Sequence, residues 1–221
     1  MAKYVMSDLH GCYDKFIKML NKIQFSEKDE LYILGDIFDR GDKPLDILDY
    51  IISHKNIHLI KGNHEEFFNY YGLTNDMSLW MLNGGDTTLN QLLEKHHTYE
   101  ESILKYLKKL PFIKVVDRFI LVHAGVYFPQ NYEELTIDEF IELQEEDICL
   151  WERSHIGNEK KFKDYTVVVG HTPVQTITND IENVKMLHRN GYIYIDGGCC
   201  FEKANGKLLC LRLDDMKEFS V

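Results

Sequence analysis

Seven residues with oxygen or imidazole donors follow directly on short apolar runs. They are Asp8 and His10 in "SDLHG", Asp36 in "GDIFDRG", Asn63 and His64 in "GNHEE", His123 in "VHAG" and His171 in "VGHTP". None is a thiolate, so the set suits divalent cations of hard to intermediate character, such as Mn, Fe(II) or Zn, rather than a cysteine-held zinc site. Asp8 and His10 are separated by one residue, which on extended backbone turns both side chains to one side and makes half of a chelate. An isolated histidine in an apolar strand is more often a satisfied core residue than a ligand. Here histidines and aspartates recur at equivalent strand ends, and the balance reverses. Taken alone, "GDIFDRG" reads equally well as a surface turn with a local Asp/Arg ion pair of little energetic weight; its neighbours give it a larger role.

The elements that must position these residues follow from the apolar pattern. "KYVM", "ELYIL", "NIHLI", "FILV", "YTVVV" and "YIYI" are β-rich runs that each end in a polar cluster, as expected of strands buried on both faces. Between the early ones, "YDKFIKMLNKI" and "PLDILDYIISH" carry helical spacing, so the chain reads as α/β with crossover helices. In such sheets ligands gather beyond the carboxyl ends of the strands, which is where every polar cluster lies. Residues 72–111 differ in character: two amphipathic helical patterns interrupted at Gly84-Gly85 read as a helical insertion over or beside the strand ends, serving packing or substrate selection. Residues 133–147 read as one helix with a solvated acidic face, and "LLCLRLDD" as a last strand of alternating exposure closing the second half of the sheet system. With 221 residues and no linker or repeat, one domain over 1–221 is expected.

Composition narrows the function classes. A formal charge of -11 disfavours general nucleic-acid or anionic-membrane binding, which use basic surfaces. There is no apolar run of spanning length, and "MAKYVMSDLHGC" enters strand-like sequence at once without an export signal, so a cytoplasmic protein is expected. The five cysteines form no CxxC pair and read as reduced, partly buried thiols. A Cys-x5-Arg phosphate loop, GxSxG, Walker A and GxGxxG are all missing.

Together, "SDLHG", "GDIFDRG", "GNHEE", "VHAG" and "VGHTP" resemble the ordered signature of calcineurin-like metallophosphoesterases. The "DRG" and "GNHE" elements resemble the PPP serine/threonine phosphatase branch, closest in length and spacing to small bacterial and phage enzymes such as the phage lambda protein phosphatase. The resemblance covers roughly residues 1 to 200 and implies a β-sandwich flanked by helices, an αββα arrangement with two metal ions at one edge. It implies that Asp8 and His10 bind the first metal, that Asp36 bridges both, and that Asn63, His123 and His171 complete the second. Two divalent cations about 3.5 to 4 Å apart can activate water and clamp phosphoryl oxygens. The two aspartates of "GDIFDRG" then do different work: Asp39 orients His64, the implied general acid, while Arg40 grips the phosphate with its fork of donors. Arg153 in "LWERSH" resembles a second phosphate-binding arginine, and Glu65 supports the ligands from behind. His96, His97, His155 and His188 match no motif. Glu202 to Asn205 replace the family's usual short glycine turn, which puts that loop's geometry in question.

The resemblance implies a metal-dependent phosphoprotein phosphatase acting on phosphoserine and phosphothreonine, with phosphotyrosine also open, by direct attack of water and without a phosphoenzyme. The alternative is a symmetrical bis(5'-nucleosyl)-tetraphosphatase, which shares nearly the same motifs. A nuclease fits the acidic surface poorly, and an inactive sensor or scaffold would be expected to lack one of the site residues, all of which are present. Two Mn ions are the expected cofactors, with Fe and Zn compatible. Phosphoproteins or phosphopeptides are the expected partners, no nucleic acid or membrane is expected, and no regulatory subunit can be inferred. The acidic 133–147 segment would favour basic residues near the phosphate.

Overall fold

A computed structural model describes residues 1–221 and orders them as two mixed five-stranded sheets packed face to face, with helices on the outside. In the first sheet β1 (Lys3–Met6), β2 (Glu30–Ile33) and β3 (Ile57–Leu59) run parallel, joined by α1 (Tyr13–Ile23) and α2 (Pro44–Ser53). Alternation along β1 explains the layering: Tyr4 and Met6 join the core under α1 and α2, whereas Val5 faces the second sheet. Helix α1 buries Phe16, Met19, Leu20 and Ile23 at helical spacing and stops at Gln24, which takes the left-handed conformation.

Beyond β3 the chain enters α3 (Asn63–Thr74) and then the insertion, α4 (Ser78–Leu82), α5 (Asp86–Leu93) and α6 (His97–Leu107), with the break between α4 and α5 at Gly84-Gly85 as the sequence predicts. The second sheet follows, ordered β4 (Ile113–Val116), β5 (Phe119–Val122), β6 (Thr166–Val169), β8 (Tyr192–Tyr194) and β7 (Leu187–Arg189). Its three central strands β5, β6 and β8 are parallel, so their carboxyl ends, like those of β1 to β3, deliver loops to one edge of the sandwich.

Two expectations are corrected. The segment 133–147 is not one helix. It is divided between α7 (Ile137–Glu142) and α8 (Glu146–Trp151), because Gln144 turns inward and donates to Phe140 O and Tyr127 O. The strand in "LLCLRLDD", β9 (Leu209–Arg212), lies in the first sheet, antiparallel to β1, with β10 (Lys217–Ser220) beyond it. Its exposure does not alternate: Leu209, Cys210 and Leu211 are all buried because sheet covers one face and helix the other. A short helix, α9 (Val174–Thr178), follows β6. No helix is long and apolar enough to cross a membrane.

Candidate metal centre

The strand-end residues meet at one edge of the sandwich, and the backbone there is unusual. Asp8, His10, Asp36, Asp39, Arg40 and His171 all have positive φ, between 40° and 70°. Such non-glycine conformations cost of order 1–3 kcal/mol each and persist only where surrounding structure fixes them. What fixes them is close contact between motif loops. A Cβ on Gly35 would lie 2.4 Å from Gly62 Cα, and one on Gly41 would lie 2.2 Å from His10 O, so glycine alone admits this approach.

Three imidazoles are oriented from behind. His10 Nδ1 donates to Phe38 O at 2.8 Å, His123 Nδ1 to Leu34 O at 2.6 Å, and His64 Nδ1 to Asp39 Oδ2 at 2.6 Å. With each Nδ1 carrying the proton, the Nε2 lone pairs of all three face inward, as in metal-binding histidines held by a carbonyl or carboxylate. Asp36 lies between them: Oδ1 is 3.4 Å from His123 Nε2, and Oδ2 is 3.6 Å from His10 Nε2. His123 Nε2 also lies 2.8 Å from Asn63 Oδ1 and 3.1 Å from His171 Nδ1. Lone pairs thus converge on two points either side of one carboxylate. His171 Nε2 is buried without any partner.

That donor set fits two cations. The ligand atoms of Asp36, His123 and His171 lie within 4.8 Å of one another, as do those of His10, Asp36 and His64. The second grouping contains His64 where the sequence reading has Asp8. Asp8 is also brought to the edge, where its Oδ2 accepts from His171 N at 3.0 Å and from the Ser7 hydroxyl. Arg40 supplies the positive charge that the inward lone pairs face, with Nη1 donating to His10 Nε2 at 2.6 Å and Nη2 to His64 Nε2 at 3.0 Å. Arg153 stands at the rim, its Nε donating to Thr172 Oγ1 at 3.2 Å.

Electrostatics follow from burial. Desolvation, then the negative charges of Asp8 and Glu65, push the Asp36 carboxyl well above its ordinary range, and desolvation likewise raises Asp8. Burial lowers His10, His64, His123 and His171, keeping the imidazoles neutral, the form that ligates metals. Burial leaves the ionised carboxylates without a counter-charge, which added cations would supply.

Residues that support the site complete it. Glu65 is fully buried and accepts three backbone donors, Asp36 N at 2.8 Å, Ile37 N at 2.9 Å and Gly62 N at 2.8 Å, tying the second and third motif loops together. Missed by sequence reasoning is Asp196, a buried carboxylate after β8 that accepts from Gly198 N at 2.7 Å and whose pKa is raised by burial and then by Asp8. Its signal was present in "YIYI" running into "DGG". Also missed are Trp80 and Thr88, which bond to Asp39. The unassigned histidines have local uses: His96 caps α6, accepting from Thr98 N, His188 pairs with Glu218, and His155 stacks on Tyr192. All five cysteines are free thiols.

Residues 1–205 match the family model for calcineurin-like phosphoesterases. The chain belongs to that family. Calcineurin-like phosphoesterases are hydrolases built around a dinuclear metal centre, in keeping with the donor set above. Among curated proteins, the symmetrical bis(5'-nucleosyl)-tetraphosphatase of Shigella dysenteriae serotype 1 (strain Sd197) is 32% identical over 130 residues, covering 57% of this chain. The match covers 44% of that relative, so it spans less than half of the relative's length. A crystal structure provisionally described as a diadenosine tetraphosphatase superposes with a TM-score of 0.68 at 18% identity, covering 100% of this chain and 92% of that one. A protein serine/threonine phosphatase from Saccharomyces cerevisiae superposes at 0.66 and 14% identity, covering 100% of this chain and 79% of that one. At such identities the two structures show a shared fold.

Proposed function

We propose that this calcineurin-like phosphoesterase is a metal-dependent phosphoprotein phosphatase that hydrolyses phosphoserine and phosphothreonine, and also phosphotyrosine. The observation that carries the reading is the pairing of His64 with Asp39, beside Arg40 and next to the lone-pair cluster. Such a pair is needed where the leaving group is a poor one, an alkoxide that must be protonated as it departs. Asp8, His10 and Asp36 would hold one cation, and Asp36, Asn63, His123 and His171 the other; Mn is the preferred ion, with Fe and Zn compatible. When bound, the two cations polarise the phosphoryl oxygens and acidify a water.

The chain's own residues do the rest. Arg40 leaves His10 and His64 for the phosphoryl oxygens when ester binds, and Arg153 grips from the rim. Water oxygen bonds to phosphorus as the bond to the leaving oxygen breaks. The electron pair stays on that oxygen, which takes a proton from His64 Nε2. For this the ring must first gain that proton from solvent once Arg40 has left Nε2, its charge balanced by Asp39 through Nδ1, while the attacking water's proton goes to solvent. Near Arg153 the surface carries Asp147 and Glu152, an acidic approach that favours a phosphopeptide bearing basic residues over a multiply charged polyphosphate.

A second reading, symmetrical dinucleoside tetraphosphate hydrolysis, has its own support. It is the activity named for the curated relatives. An open cavity of about 670 Å³ beside Arg40 is lined by Phe201, Lys203 and Gln175, whose buried Oε1 has no donor, and Arg40 lies 5.4 Å from the centre of the Phe201 ring. A flat aromatic wall and a lysine are features that suit a nucleobase and its phosphate. The test is phosphate release by metal-stripped, Mn-reconstituted protein from phosphoserine, phosphothreonine and phosphotyrosine peptides, set against ADP production from diadenosine tetraphosphate at matched concentration. Preferential turnover of peptides supports the phosphatase. Preferential production of ADP would replace it with the second reading.

A further inference from the structure

The insertion supplies more than packing. Asp39 has no solvent exposure, and donors from the insertion surround it: Trp80 Nε1 lies 2.9 Å from Oδ1 and 3.0 Å from Oδ2, and Thr88 Oγ1 donates to Oδ1 at 2.6 Å. The Thr88 hydroxyl in turn accepts from Asp39 N at 2.9 Å, closing a two-bond ring on a residue whose φ is 70°. Arg40 N donates to Gly84 O at 3.0 Å, so the turn between α4 and α5 also holds the next residue. Trp80 cannot easily turn away, since its ring packs on Phe68 and Tyr71 with centroids 5.3 and 5.2 Å apart, and a Cβ on Gly85 would lie 2.6 Å from the indole.

We infer that Trp80 and Thr88 are positioning residues for proton delivery, fixing the Asp39 carboxylate so that its Oδ2 receives His64 Nδ1–H and leaves His64 Nε2 toward the reacting oxygen. A packing role asks only for apolar side chains, because a buried polar group costs free energy unless it is paired. Here two donors from α4 and α5 converge on one buried carboxylate, and both are themselves buried, Trp80 at 1% and Thr88 at 0% exposure. With those bonds made, Asp39 is an acceptor in a single orientation, which holds the Nδ1–H and aims Nε2, once it has gained a proton from solvent, at the leaving oxygen. Lose them, and the carboxylate is free to rotate and His64 with it. The inference rests on His64 acting as the general acid.

The effect is read through the leaving group. An alkoxide leaving from phosphoserine needs the proton of His64, whereas the p-nitrophenolate leaving from p-nitrophenyl phosphate does not. In Mn-reconstituted protein, Thr88→Val and Trp80→Phe are expected to lower kcat/KM for a phosphoserine peptide by about 10- to 100-fold while p-nitrophenyl phosphate changes within about threefold. Bound Mn should be unchanged, and Thr88→Ser, which keeps the hydroxyl, should restore the peptide rate. Equal losses on both substrates, or lost metal in both variants, would overturn the inference and leave the insertion a packing element. A leaving-group-dependent loss in His64→Asn with a flat response in Thr88→Val would overturn it alone. A flat response in His64→Asn itself would remove the acid assignment on which it rests.

Discussion

Asp36 and Asp39 belong to one turn, yet they are held by different parts of the molecule. Asp36 is held from the strand ends: its N–H goes to Glu65, its Oδ1 accepts from His64 N at 3.0 Å, and both its oxygens face imidazole lone pairs from the two sheets. Asp39 is held from the insertion by an indole and a hydroxyl, and its one remaining direction goes to His64. The first arrangement concentrates negative charge and lone pairs where cations would sit. The second aims a ring. The difference teaches that charge-holding and proton delivery, adjacent in sequence, are mechanically separable, so substitutions in the two regions should fail in different ways.

The largest effect should come from Asp36→Asn, which weakens the carboxylate facing both groups of ligands. Bound Mn measured by elemental analysis should fall from two per chain toward none, and turnover with it, on every substrate regardless of leaving group; retained metal would break the comparison at its first half. Glu65→Gln comes next. An amide nitrogen would face backbone donors that now point at a carboxylate, costing about 1–3 kcal/mol and so several degrees of Tm in calorimetry. Metal occupancy should fall while the leaving-group dependence of the remaining activity stays as in the parent.

Arg40→Ala sharpens the comparison because Arg40 touches both regions through His10 and His64. Loss of a charge-assisted contact to phosphate, worth about 1.5–3 kcal/mol, should raise KM for a phosphoserine peptide by roughly 10- to 150-fold with little loss of metal. Arg153→Ala should do the same more weakly, since Arg153 lies at the rim. If Arg153→Ala proved the more damaging of the two in steady-state kinetics, the placement of the phosphate beside Arg40 would be wrong.

The two regions were not equally legible in the sequence. Asp8, His10, Asp36, Asn63, His123 and His171 were readable because apolar runs ending in polar residues imply strand ends, and strand ends in parallel sheets share an edge. Trp80 and Thr88 were not. On an amphipathic helix a tryptophan is expected in the core, and its contact with Asp39 spans 41 residues of chain, that of Thr88 49, with no periodicity to announce either. The same limit misplaced β9, since partner choice in a sheet is a long-range property that local pattern does not carry. The break between α7 and α8 was hidden too, because the inward turn of Gln144 needs neither glycine nor proline.

His64 is where the two regions touch, and its ligand atom falls geometrically with those of His10 and Asp36 as well as facing the proton-delivery side. The decisive measurement is therefore bound Mn per chain together with phosphoserine-peptide turnover in His64→Asn. The account predicts two Mn per chain, as in the parent, with turnover lower by about 10²- to 10⁴-fold. Loss of a metal ion on that substitution would contradict it, making His64 a ligand and leaving proton delivery without its donor.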